Sequence, residues 1–203
     1  MTIILSGERI PTRTFEVLYH VGTLDVTQSA GASLEGSGLS VSTEPGAWER
    51  IAKLGGRAWW ELTREGNSFL DAHELSCAQR EELLVWGEAQ GYVARVPGWV
   101  VSWYDDELGR EVSFSFVDYE EAVEEASSAA SIAAASLVMA GSSWPDGRGR
   151  VNADQVLLAL WAGECTALDG VWWQDDLNPT RLSAPRGVIS GSCLVGWATT
   201  RIR

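Results

Sequence analysis

EVLYHVGTLDVTQSAGASLEGSGLSVSTEPGAW, residues 16–48, holds two short apolar runs joined by a loop of Gly and Ser. The runs at 15–20 and 38–43 predict strands, because β-branched and large apolar residues bounded by turn formers suit a pleated surface. Thr43-Glu-Pro-Gly then opens a helix over Ala47–Leu54, which Gly55-Gly56 ends. This stretch therefore sets one of the chain's two histidines, His20, at a strand end and returns a second strand carrying Ser42 and Thr43.

Outward from this stretch, strand patterns recur at 57–63, 98–104, 111–117, 169–173 and 194–199. Asp105-Asp-Glu-Leu-Gly109 links 98–104 to 111–117 as an antiparallel hairpin, and Val112, Phe114 and Phe116 alternate with Glu111, Ser113 and Ser115. Ser76-Cys-Ala-Gln79 is a capping box for a helix ending near Gly91. Asp118-Tyr-Glu-Glu121 opens another helix, with acids in its first turn suited to the positive end of the helix dipole. That helix is expected to run toward Gly141, its Ala126–Ala140 part being either closely packed helix or a mobile segment. Asn152-Ala-Asp-Gln155 opens a shorter one that Gly163 stops. No repeat or domain boundary interrupts the 203 residues, so residues 1–203 read as a single α+β domain with a mixed or mostly antiparallel sheet and flanking helices.

Composition narrows the function classes. The net charge of −13 opposes broad contact with nucleic acid, whose phosphates repel such a surface. No apolar run approaches the roughly 20 residues of a membrane span, and the start has no basic flank before an apolar segment, so a cytoplasmic protein is expected. Cys77, Cys165 and Cys193 are odd in number and widely spaced, which predicts reduced thiols and no metal site. Asp71-Ala-His-Glu74 lacks the second histidine of a zincin, and neither a Gly-x-Ser-x-Gly elbow nor a P-loop is present. The eleven tryptophans supply core area first, although Trp60 and Trp172 also suit stacking on a flat ring.

Three segments, in order, resemble the ADP-ribosyltransferase superfamily of toxins and phage proteins. Leu18-Tyr-His-Val-Gly22 is similar to its Tyr-His-Gly-Thr strand, Gly38-Leu-Ser-Val-Ser-Thr-Glu-Pro45 to its Gly-Leu-Ser-x-Ser strand, and Leu168-Asp-Gly-Val-Trp-Trp-Gln-Asp-Asp176 with Leu182–Ile189 to its late acidic strand. The resemblance implies an ADP-ribosyltransferase-like split sheet and an NAD-dependent transferase that acts on a macromolecular target. NAD is then the glycosyl-donating substrate. His20 orients the adenosine ribose; Tyr19, Ser42, Thr43 and Arg186 contribute to NAD binding; Trp60 or Trp172 covers the nicotinamide. The family's late glutamate is absent, and Asp169, Asp175 and Asp176 are the acids available in its place.

Simpler roles fit the same residues. His20 also reads as a structural histidine, Ser42 and Thr43 as N-caps, Trp172-Trp173 as core, and Arg186 as a partner of Asp175 or Asp176. The alternative function is a non-enzymatic acidic protein that binds a basic partner, such as a nuclease or defence factor, through the Glu120–Glu125 helix start and the Asp105–Glu107 turn.

Overall fold

The computed structural model describes residues 9–24, 38–107, 109–126, 130–143, 153–165, 167–173, 184–191 and 193–203. In chain order the elements are β1 (Thr12–Arg13), β2 (Leu18–Val21), β3 (Leu39–Val41), α1 (Pro45–Ile51), β4 (Trp59–Thr63), β5 (Phe69–Asp71) and α2 (Cys77–Ala89). There follow β6 (Val93–Asp105), β7 (Arg110–Phe116), α3 (Tyr119–Glu125), β8 (Ser131–Ala140), α4 (Ala153–Cys165), β9 (Gly170–Trp173), β10 (Arg186–Ile189), a 3-10 turn (Leu194–Gly196) and β11 (Ala198–Arg201). This is an α+β architecture. Among the described residues no helix is long and apolar enough to cross a membrane.

Three sheets form. The first has the order β1-β5-β9-β10-β3, with β5 and β9 parallel and every other pair antiparallel. The second is β11-β4-β2 and the third β7-β6-β8, both antiparallel. The first two are joined edge to edge at one residue pair, where Tyr19 N donates to Ser42 O and Ser42 N donates to Tyr19 O, each at 2.9 Å. β2 and β3 are thus neighbours for a single bridge and then part.

Two apolar layers hold this arrangement. One joins the first two sheets: Leu18, Leu39, Val41, Leu62, Phe69, Trp172, Ile189 and Trp197 are all buried there. The other seats α2 and α4 on the first sheet through Leu83, Trp86, Leu157 and Trp161 against Leu70, Val171 and Val188. β9 is buried along its whole length, Val171 belonging to the helix layer and Trp172 to the sheet layer. A strand covered on both faces shows no polar alternation, which is why Gly-Val-Trp-Trp reads as a continuous apolar run.

Two of the helix-start signals are side-chain caps, whereas α1 has Glu44 at its N-cap with no side-chain bond, not Ser42 or Thr43, and Asn152 lies outside the described residues. Ser76 Oγ accepts from Gln79 N, and Gln79 Oε1 accepts from Ser76 N, so the capping box over α2 is complete. Asp118 Oδ1 accepts from Glu120 N at 2.7 Å and Glu121 N at 3.3 Å at the start of α3.

The expected long helix from Asp118 toward Gly141 is corrected. α3 spans only seven residues, and Ser131–Ala140 is strand β8. β8 pairs with β6 from Val93↔Ala140 to Ser102↔Ser131, so tertiary pairing overrides the weak local preference of a small-residue run. Pro97 lies where β6 has β8 but not β7 beside it, the edge condition that a residue without an N–H requires. The strand expected at 194–199 is also divided: a 3-10 turn comes first and β11 begins at Ala198. α4 continues through Gly163 to Cys165.

Candidate functional site

His20 pairs with Trp60 across β2 and β4 and is 5% exposed. Its Nδ1 lies 2.7 Å from Ser40 O, and its Nε2 lies 2.9 Å from Thr23 O. Both partners are acceptors. A neutral imidazole therefore donates to one and turns a lone pair toward the other, whereas an imidazolium donates to both. Burial pushes the His20 pKa below its ordinary value, and the two carbonyls offset only part of that push.

The corner after His20 is fixed by its neighbours. Gly22 N donates to Ala58 O at 2.8 Å, and Gly22 O accepts from Trp60 Nε1 at 2.9 Å. Gly22 has φ +133°, and a Cβ there would come within 3.2 Å of His20 Nε2. Glycine serves both the backbone conformation and the space for the ring. Trp60, expected to cover a nicotinamide, here fastens the exit of β2.

Because the native ring resists protonation, the unfolded chain takes up the His20 proton first as pH falls. This contribution to stability is whole above pH 6.5 and is lost as pH falls from there toward the lower native pKa. Urea unfolding of wild type and His20→Gln across this range checks it. The gap between the two stabilities is expected to narrow toward acid pH, and a gap that does not change with pH contradicts it.

Ser42 joins three segments. Its Oγ donates to Pro185 O at 2.5 Å and accepts from Glu44 N at 2.9 Å, while its backbone bridges Tyr19. One residue further along β3 and β10, Val41 pairs with Gly187. Tyr19, Ser42 and Arg186 thus lie at one level on three neighbouring strands, which are spaced about 4.8 Å apart. Thr43 follows Ser42 and is half-buried, as are Tyr19 and Arg186.

Two expected site residues are engaged elsewhere. Asp169 is 4% exposed, forms an ion pair with Arg64, and accepts from Ser68 N at 2.8 Å through Oδ2. Its backbone adds bonds to Ser68 O and from Ser190 N, so it fastens the β4–β5 connection to the start of β9. Trp172 is 1% exposed, with its ring centroid 4.3 Å from that of Phe15. In that position it is core and has no face to offer a nicotinamide. Asp175 and Asp176 lie outside the described residues.

Sequence reasoning missed the polar clamp at the other end of β4. Buried Asn67 accepts from Phe15 N and donates to Phe15 O and Arg64 O. An open cavity of about 1100 Å³ adjoins it, lined by Thr14, Glu16, Thr63 and Arg64 among others. Asn67 lies in the turn-like run Arg64-Glu-Gly-Asn, and only that local signal pointed to it. A second buried carboxylate, Asp71, pairs with Arg13 at 2.9 Å and ties β5 to β1.

Among the described residues no group of three or more His, Cys, Asp or Glu could hold a metal ion. With both His20 nitrogens and the Ser42 hydroxyl engaged within the protein, the half-buried polar side chains beside the strand split include Tyr19, Thr43 and Arg186, two hydroxyls and a guanidinium of the kind that suits an anionic, hydroxyl-rich ligand. Comparison with family models, with curated proteins and with solved structures gave no match.

Proposed function

We propose that the split between β2 and β3 is the NAD cleft of an ADP-ribosyltransferase-type protein that modifies a macromolecular acceptor. One observation carries the reading: the three segments that resemble the superfamily's motifs are neighbouring strands, with Tyr19, Ser42 and Arg186 level across them. β2 and β3 are consecutive along the chain, whereas the Ser42–Pro185 contact that brings in the third segment spans 143 residues and is a product of the tertiary fold.

The residues divide the work as follows. Arg186 is a cation at the head of β10 and suits the NAD pyrophosphate. Tyr19 and Thr43 border the split and suit the ribose and carboxamide. His20 holds the β2–β3 corner through Ser40 and Thr23, and a ribose hydroxyl reaches its Nε2 only by displacing the Thr23 carbonyl. Cleavage of the nicotinamide bond develops positive charge on the ribose, which a carboxylate stabilises. With Asp169 committed to Arg64, Asp175 or Asp176 is left to supply that carboxylate.

NAD titration by calorimetry and nicotinamide release test the proposal together. Wild type is expected to bind NAD, and Arg186→Ala to weaken binding by about 1–3 kcal/mol, roughly tenfold to a hundredfold. Asp175→Asn or Asp176→Asn should lower turnover more than binding, because the carboxylate acts as charge develops. Absence of NAD binding at millimolar concentration overturns the reading. Binding without nicotinamide release retains the cleft and removes the transferase.

A further inference from the structure

The third sheet carries a feature that the NAD cleft does not use. Its inner end belongs to the main core, where Val93, Val138 and Ala140 pack. Beyond Trp99 the same sheet face presents Trp103, Val112 and Phe114, because residues paired across antiparallel strands point to one side. The short α3 lies on this face: the Tyr119 ring is 4.6 Å from Trp99, and Ala122 is fully buried beneath the helix. It leaves much of the apolar surface in solvent, with Phe114 48%, Tyr119 51% and Val123 46% exposed. Trp103 stacks on Phe114 at 5.4 Å, so the patch has a preformed aromatic centre.

The surrounding charge names the occupant. Between Trp99 and Ala126 the chain has nine Asp and Glu residues, of which Glu111 lies on the opposite face with Tyr104, and a single base, Arg110, which is paired with Asp105 across the hairpin. A second copy would bring like charge against like charge, and phosphate-rich nucleic acid or an anionic membrane would be repelled. A segment that alternates Lys or Arg with apolar side chains satisfies both the aromatic centre and its acidic rim. We propose that the β6–β7 hairpin and α3 form a docking surface for such a basic, apolar segment of a protein partner.

The test uses the full chain and two synthetic peptides of equal positive charge, one alternating Lys with Leu and the other Lys with Ser. Calorimetry is expected to give at least about tenfold tighter binding of the Lys–Leu peptide, because the apolar anchors supply the difference. High salt should weaken that binding. Phe114→Ser and Val123→Ser, both at solvent-exposed positions on the patch, should each weaken it about tenfold. Tyr104→Ser, on the opposite face of the hairpin where Tyr104 pairs with Glu111, should leave it unchanged. Circular dichroism melts verify that each variant folds, and the two patch variants lie on separate elements. Equal binding of the two peptides, no binding of the Lys–Leu peptide, or indifference to both patch variants overturns the proposal. Self-association of wild type that Phe114→Ser abolishes also overturns it, since the occupant is then a second copy.

Discussion

Trp172→Ala is expected to lower the stability of the folded chain by about 3–5 kcal/mol, the range for removing a large buried aromatic side chain. Trp172 is 1% exposed and lies among Phe15, Phe69 and Ile189, where the first two sheets share their apolar layer. Gly187 makes the fit tight: it pairs with Trp172 across β10 and β9, and a Cβ there would come within 2.6 Å of the Trp172 ring, so the ring packs over a position that has no side chain. Collapse of neighbouring side chains therefore recovers little of the lost volume. A ring that covered nicotinamide would behave differently, since its loss would weaken NAD binding and leave the unfolding midpoint almost unchanged. Urea denaturation and NAD titration of the same variant separate the roles. A shift below about 1 kcal/mol, the usual size for an exposed site, would remove the core assignment.

What was legible in the sequence follows from where each signal resides. The Ser76 capping box and the Asp118 cap are local hydrogen-bonding patterns, and both are present. The 98–104 and 111–117 hairpin was legible for the same reason, since a turn-rich connection and period-2 alternation need no distant partner. β8 was not legible. Ala, Ser and Ile in mixture favour neither helix nor strand strongly, and β6 decides the outcome by pairing along ten residues. β1 and β5 are two and three residues long, too short for any periodicity.

The candidate site divides along the same line. Tyr19, Ser42 and Arg186 belong to strings that could be read in order, and their strands are neighbours. The partners of His20 are backbone carbonyls, which no side-chain pattern announces. The burial of Trp172 depends on two sheets closing over β9, a consequence of topology rather than of the Trp-Trp string.

Asp169 shows the limit most clearly, because its partner Arg64 is 105 residues away. Asp169→Ala is expected to destabilise the chain by about 2–4 kcal/mol, since removal of one member of a buried charge pair leaves the other uncompensated. The Arg64 side chain is 36% exposed, so water recovers part of its solvation and holds the cost below that of a fully buried pair. The Ser68 N–H loses its acceptor as well, which adds the cost of an unsatisfied donor. Asp169→Asn retains an acceptor for Ser68 and should fall between wild type and Asp169→Ala. The order of stabilities by urea denaturation, wild type above Asn above Ala, is the expected readout. A catalytic carboxylate would give another pattern, with both variants equally poor in nicotinamide release and nearly wild type in stability. NAD affinity measured at a urea-free temperature where each variant is folded should remain at the wild-type value, because Asp169 acts between β4 and β9 and not across the β2–β3 split.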